Sequence, residues 1–319
     1  MTLPLSPPIA PALALSRKAL PEDGRYLYEI KLDGFRCLAF VDGGEVFLQS
    51  RNGRPLGRYF PELRFPPGRY VLDGEIVVRD SAGHEDFDAL QQRIHPAVSR
   101  VQRLAGETPA VFVAFDVLAV EDAVLMERSF AERRAELVAL LAALPDEDEP
   151  LELMVSVQSA DEARGWLRDA EGVIAKERDA PYLPGERRGM VKIKRVRTID
   201  AIVVGWRPGK EPDTVGALIL GLYDGDDVRV VGHCSGLSAA EKRRLPGFLA
   251  AHETGARGSG EASRWTAGRD LEWVALRPEL VVEIDFDHVS AGRIRHGAKL
   301  RRWREDKPAT ECTFAQLGQ

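Results

Sequence analysis

Polar and apolar residues alternate over residues 26–33, placing Tyr26, Tyr28 and Ile30 on one face of a strand and Leu27, Glu29, Lys31 and Asp33 on the other. Three charged groups therefore share a face. Gly34 follows, where a missing side chain lets backbone or ligand come close, and Arg36 lies two residues on. The apolar run at 37–41 leads through Asp42, Gly43, Gly44 and Glu45 into VFLQS, which predicts a hairpin with a two-residue turn. A turn at Gly43 and Gly44 sets Asp42 opposite Glu45 and Arg36 opposite Arg51, so register alone brings SRNGR to the edge of the lysine face. Residues 70–78 and 111–120 predict two strongly apolar strands, the first interrupted by Asp73, Gly74 and Glu75, the second by Phe115 and Asp116. Buried strands rarely hold carboxylates without partners.

Residues 127–144 read as a helix ended by Pro145 and an acidic loop, and residues 151–158 as a strand. Ser159 and Glu162 have capping-box spacing for a helix running to about Ala170. EGVIAKE, at 171–177, is a short strand opening on Glu171; after a Gly/Pro loop comes MVKIK, with Val191 and Ile193 facing one way and Lys192 and Lys194 the other. Like charges side by side repel, and an anion shared between the lysines explains the pattern most simply. A solvent-facing edge strand with protective lysines is the other account. From Thr198 the pattern changes to short strands and turns, with a hairpin at 224–227, a helix capped by Ser238 and Glu241, and a flexible loop at 255–260. About five strands and one inserted helix suit a small Greek-key barrel of the oligonucleotide-binding kind. The expected architecture is α+β in two domains, residues 1–197 (1–20 an extended arm) and 198–319.

A chain of 319 residues, 44% of them hydrophobic, is long enough for two cores. Cys37, Cys234 and Cys312 lie far apart, so neither a disulfide framework nor a cysteine zinc site is suggested, and a reducing cytoplasm fits. The Pro-rich N-terminus has neither an early basic region nor an apolar run of spanning length. The net charge of −6 gives no overall attraction to nucleic acid, so any positive surface must be local. The densest basic stretch runs from Arg293 to Lys307 and includes Arg295, His296, Lys299, Arg301, Arg302 and Arg304, with Trp303 among them. His296 could meet DNA phosphate or fill a barrel corner.

The segments EIKLDGFR, SRNG, LDGEIV, FDVL, EGVIAK, VKIK and REDK follow one another between residues 29 and 307. In that order they resemble the covalent nucleotidyltransferases, and most closely the ATP-dependent DNA ligases. The C-terminal stretch is similar to that of the small standalone bacterial ligases of the C type. The resemblance implies a nucleotidyltransferase domain to about Arg197, then an OB-fold β-barrel. It makes Lys31 the nucleophile that attacks the α-phosphate of ATP, with Glu29 selecting adenine and Phe115 stacking on it. Arg36, Arg51 and Glu75 would contact ribose or nick phosphate, Glu171 and Asp33 would serve Mg2+ (or Mn2+), and Lys192 and Lys194 would hold the α-phosphate. Arg304, Asp306 and Lys307 match the barrel motif that orients the leaving pyrophosphate. The implied partners are nicked double-stranded DNA and a repair protein, for a nucleoid-associated monomer in the cytoplasm.

The chemistry agrees with these roles. An amine with an ordinary pKa of roughly 10.4 is protonated and a poor nucleophile until cations or a metal favour its neutral form. Phosphoryl transfer asks mainly for positioning and charge stabilisation, which cations around one phosphorus supply. Magnesium takes a few carboxylates plus substrate oxygens. An RNA ligase or mRNA-capping guanylyltransferase shares the lysine core and remains an alternative, as does a catalytically silent nick-binding protein.

Overall fold

The computed structural model describes residues 2–144, 151–259, 272–287, 289–290, 292–295 and 297–318. Pro145, Gly260 and His296 lie outside these. The chain divides into two compact units, Met1–Arg195 and Val196–Gln319.

The first unit holds two sheets. Strands β1 (Leu15–Ser16), β2 (Tyr26–Ile30), β3 (Phe35–Gly43), β4 (Glu45–Ser50), β5 (Gly68–Val78), β6 (Ala110–Val120), β7 (Ala123–Val124), β8 (Leu151–Leu153), β9 (Ser156–Val157), β10 (Gly172–Glu177) and β11 (Met190–Lys194) appear in chain order. Helices α1 (Phe87–Gln92), α2 (Val98–Glu107), α3 (Phe130–Ala143) and α4 (Ala160–Trp166) lie between them. One sheet runs β4-β3-β5-β6-β7 with β8 beside β6; the other runs β1-β11-β10-β2-β9.

The hairpin registers as expected, from Asp42 opposite Glu45 to Cys37 opposite Ser50, with Gly43 at φ +61°. Its apolar run is continuous because both faces of β3 are buried. Cys37, Ala39 and Val41 pack with Leu90 of α1 and Leu137 of α3, while Leu38 and Phe40 pack with Leu3, Ala12 and Tyr182. The N-terminal segment is thus extended yet is part of the core. Residues 151–158 are not one strand: 151–153 pair with β6 and 156–157 with β2, so the chain changes sheets at Met154. Helix α4 stops at Trp166, short of Ala170, because the following amides bond three residues back, as Leu167 does to Arg164 O.

The second unit contains β12 (Arg197–Pro208), β13 (Val215–Asp224), β14 (Asp227–Gly236), β15 (Glu253–Ser259), β16 (Glu272–Leu276), β17 (Val281–Phe286), β18 (Val289–Ser290), β19 (Arg293–Ile294) and β20 (Ala298–Trp303), with helix α5 (Ala239–Leu249) after β14. Seven strands, not about five, form its main sheet, a curled one in the order β13-β14-β20-β17-β12-β16-β15. The glycine-rich residues 253–259 form a strand, correcting the loop expected from their composition. Gly258 and Gly205 accept the indole of Trp273, where a Cβ would come within 2.2 and 2.1 Å of the ring. Ser238 and Glu241 make the expected capping box. No helix among the described residues is long and apolar enough to cross a membrane.

The strand carboxylates find the partners that burial demands. Arg133 of α3 grips Asp116 through two bonds, 2.8 and 2.9 Å, with both side chains 3% exposed. Removing one member of a buried pair leaves the other charge uncompensated. Asp116→Ala should therefore cost about 3–5 kcal/mol, read as a fall in the urea midpoint.

Candidate active site

Three neighbouring strands set the site by register. Glu29 of β2 lies opposite Ile174 of β10, which lies opposite Lys192 of β11. One ladder step on, the Lys31 amide bonds to Gly172 O at 2.9 Å, and Gly172 lies opposite Lys194. Period-two alternation puts Glu29, Lys31, Lys192 and Lys194 on one face, while Tyr26, Tyr28, Val173 and Ala175 pack against Ala163 of α4 on the other. Gly172 has no room for a side chain, since a Cβ would lie 2.3 Å from Ile193 O. The carboxylate of Glu171 fits between the two lysines instead. It pairs with Lys31 Nζ through Oε2 and with Lys194 Nζ through Oε1 at 3.4 Å.

The other sheet of this unit supplies the second wall. Asp73 lies opposite Asp116 and Gly74 opposite Ala114, so Phe115 is the extra residue of a β-bulge. Bulges re-aim side chains. Phe115 packs with Val77, Val113 and Met154 and lines a pocket of about 190 Å³ together with Glu29, Lys31, Arg36, Arg51, Glu75 and Lys192. Gly34 lets β5 pass, because a Cβ there would lie 2.4 Å from Ile76 O. Arg36 is held by Asp73 through two bonds of 2.6 Å, with its guanidinium 4.5 Å from the Phe115 ring centre.

The structure brings these predicted residues together, with exceptions. Asp33, Glu171 and Lys194 do not line the pocket; Glu171 reaches it through its pairing with Lys31 and Lys194 through its pairing with Glu171, and the Asp33 amide donates to Glu85 Oε2 at 2.8 Å. Arg304, Asp306 and Lys307 form a group of their own in the second unit. Arg304 donates to Asp200 (2.9 and 3.0 Å) and to Asp306 (2.8 Å), and Lys307 donates to Asp200 at 3.0 Å. Arg304 holds the Asp306 carboxyl down to about 2. Nearby, Arg301 and Arg302 both pair with Glu283, which neutralises part of the basic stretch.

Sequence reasoning gave no role to Lys176, Arg187, Asp200 or Tyr182. Lys176 is buried, pairs with Glu29 Oε2 at 2.7 Å and donates to Phe115 O at 3.1 Å. Glu29 Oε1, also buried, has no hydrogen-bond partner among the described residues. Arg187 lines the pocket beside Lys192, whose pKa is lowered by burial and by the surrounding cations Lys194, Lys31, Arg51 and Arg187. The repulsion inferred from two lysines therefore involves a larger group of cations. Such a cluster is compensated by an anion.

Glu75 lines the pocket, and burial pushes its carboxyl up to about 8 despite Arg36 and Lys31. Its folded value is raised above the unfolded one, so the folded chain binds more protons between the two values. Stability is lost as pH rises through this window, at a limiting slope of about 1.4 kcal/mol per pH unit. Glu75→Gln should abolish that loss, its thermal midpoint exceeding the wild type's by more at pH 8 than at pH 5.

Among the described residues, no group of three or more histidine, cysteine, aspartate or glutamate side chains is arranged to hold a metal by itself.

Known proteins are similar to this chain. The family described as ATP dependent DNA ligase domain matches residues 7–194, and the ATP dependent DNA ligase C terminal region matches residues 211–307. DNA ligase C of Mycobacterium tuberculosis is 44% identical over 346 aligned residues, covering 99% of this chain and 96% of that one. DNA ligase C1 of Mycolicibacterium smegmatis is 42% identical over 340, with the same coverage of both. Among solved structures, the ligase domain of M. tuberculosis ligase D matches with a TM-score of 0.53 and 29% identity, over 96% of this chain and 98% of that one. A mycobacterial DNA ligase D complexed with ATP matches equally well. With both regions matched and relatives aligned along nearly its whole length, the chain belongs to the family of ATP-dependent DNA ligases, which seal nicks through an adenylate intermediate.

Proposed function

We propose that Lys31 is the residue this ligase charges with AMP. The carrying observation is the placement of Lys31, Lys192 and Lys194 on one face of three paired strands, with Lys31 and Lys192 lining a pocket where Arg51 and Arg187 add further positive charge. Lys31 Nζ attacks the α-phosphorus of ATP, a P–N bond forms, the bond to the bridging oxygen breaks and pyrophosphate leaves. The amine must shed a proton, and Glu171 is the acceptor in contact with it. The AMP then passes to the 5′-phosphate of a nick, and the 3′-hydroxyl displaces it to join the strand. Lys192 and Lys194 stabilise the crowded anionic phosphorus at each step.

Glu29 lines the pocket, and its Oε1, which has no hydrogen-bond partner among the described residues, would accept from the exocyclic amine of adenine. Guanine presents a carbonyl there, and two acceptors repel. Phe115 walls the base, and Arg36 and Arg51 serve ribose or nick phosphate. Mg2+ suits hard oxygen donors, and Glu75 in the pocket lining and Glu171 beside Lys31 would hold it together with substrate oxygens. When bound, it would neutralise charge on the leaving pyrophosphate.

In the second unit, the pairings β12–β13, β13–β14, β14–β20, β20–β17 and β17–β12 support a five-stranded OB barrel. Arg304, Asp306 and Lys307, just after its last strand, would serve the pyrophosphate in the first step. The substrate of this reading is nicked double-stranded DNA, bound by a monomer.

Purified protein incubated with magnesium and α-labelled ATP should become covalently labelled and discharge the label on nicked DNA. Lys31→Ala should reduce labelling to background; full labelling of that variant sinks the assignment. Label from GTP, or discharge only on nicked RNA, would instead place the chain with capping enzymes or RNA ligases. Arg304→Ala should slow charging by roughly 10²-fold while largely sparing the sealing of DNA that already carries AMP. Equal loss in both assays would argue against a role confined to the first step.

A further inference from the structure

The segment before β2 carries no strand except β1, yet it is bonded at nearly every other residue. Ile9 exchanges two hydrogen bonds with the Gln49 amide, at 2.9 and 2.6 Å. Leu13 N–H donates to Glu186 O at 2.8 Å, Gly185 N–H donates to Pro11 O at 3.2 Å, and β1 pairs with Val191 and Lys192. Between these ties, Pro11, Ala12, Leu13 and Ala14 form one wall of the nucleotide pocket.

At Ala12 the ties close into a ring. Its N–H donates to Tyr182 OH at 3.1 Å, and that hydroxyl donates to Asp73 Oδ2 at 2.6 Å. Asp73 holds both forks of Arg36, and Arg36 Nη2 reaches back to Ala12 O at 3.4 Å. Asp73 is fully buried, Ala12 is 1% exposed and Tyr182 is 4% exposed, so water cannot easily replace a lost partner. Burial pushes the Tyr182 hydroxyl well above its ordinary range, so it stays a neutral donor. Tyr182 does not itself line the pocket, whereas Ala12 and Arg36 do.

We propose that Tyr182 is a positioning residue for ATP, its hydroxyl locking the N-terminal segment and the Arg36–Asp73 pair into one rigid pocket wall. This rests on the reading that ATP is bound here for attack by Lys31. The residues it fixes meet the bound nucleotide rather than the breaking bond. Loss of the hydroxyl therefore acts on nucleotide affinity more than on the chemical step.

The test is a double-mutant cycle on Tyr182→Phe, which keeps the ring, and Ala12→Pro, which removes the donor on the other side of the same bond. Single-turnover adenylylation would be followed against ATP concentration, with thermal melts alongside. Each single variant should raise the half-saturating ATP concentration by roughly ten-fold, with the rate at saturation within about three-fold of wild type. The double variant should be no weaker than the worse single one. Wild-type ATP dependence in Tyr182→Phe would overturn the proposal. So would additive effects, or a loss of active fraction with unchanged ATP dependence. Failure of the wild type to label on Lys31 would refute the Lys31 reading instead, leaving a recognisably different result.

Discussion

The site is built around one electrostatic constraint. A single carboxylate, Glu171, is wedged between the ammonium groups of Lys31 and Lys194. Lys192, Arg51 and Arg187 add positive charge that this carboxylate does not balance. The protein tolerates that excess because the strands on which the lysines stand are fixed by ladder bonds and by the packing of Tyr26 and Tyr28 beneath them. On the proposed reading, a triphosphate entering the pocket would relieve the repulsion among the cations, and the groups proposed to bind the α-phosphate would also stabilise it as the bond order changes.

The opposite wall follows the same logic with acids. Asp73 and Asp116 are satisfied by arginines, whereas burial pushes the Glu75 carboxyl up to about 8. A carboxyl left in that condition destabilises the folded chain as pH rises. Such a cost is characteristic of groups retained for binding rather than for stability. The bulge at Phe115 likewise gives up a regular ladder position to aim a ring into the pocket.

Much of this was legible in the sequence where the governing forces are local. The hairpin register followed from Gly43 and Gly44, and the lysine face followed from alternation. The motif order gave the family before any fold was known. What stayed hidden depended on partners distant in the chain. Residues 151–158 split between two sheets because their neighbours differ, β6 for the first part and β2 for the second. Glycines at 255 and 258 suggested a loop, but β16 supplies their ladder and Trp273 needs the space above Gly258. Lys176 sits in an apolar run, and nothing local shows that it binds Glu29. Asp33 belongs to the lysine motif, yet strand β2 ends at Ile30, and Asp33 lies outside the pocket lining with its amide bonded to Glu85.

The central claim is that the pocket serves one nucleophile, Lys31. The most direct test is peptide mapping by mass spectrometry of the protein after incubation with ATP and magnesium. The account predicts one AMP per chain, on the peptide that contains Lys31 and on that lysine. An adenylate found on Lys192, Lys194 or Lys176 instead would contradict it.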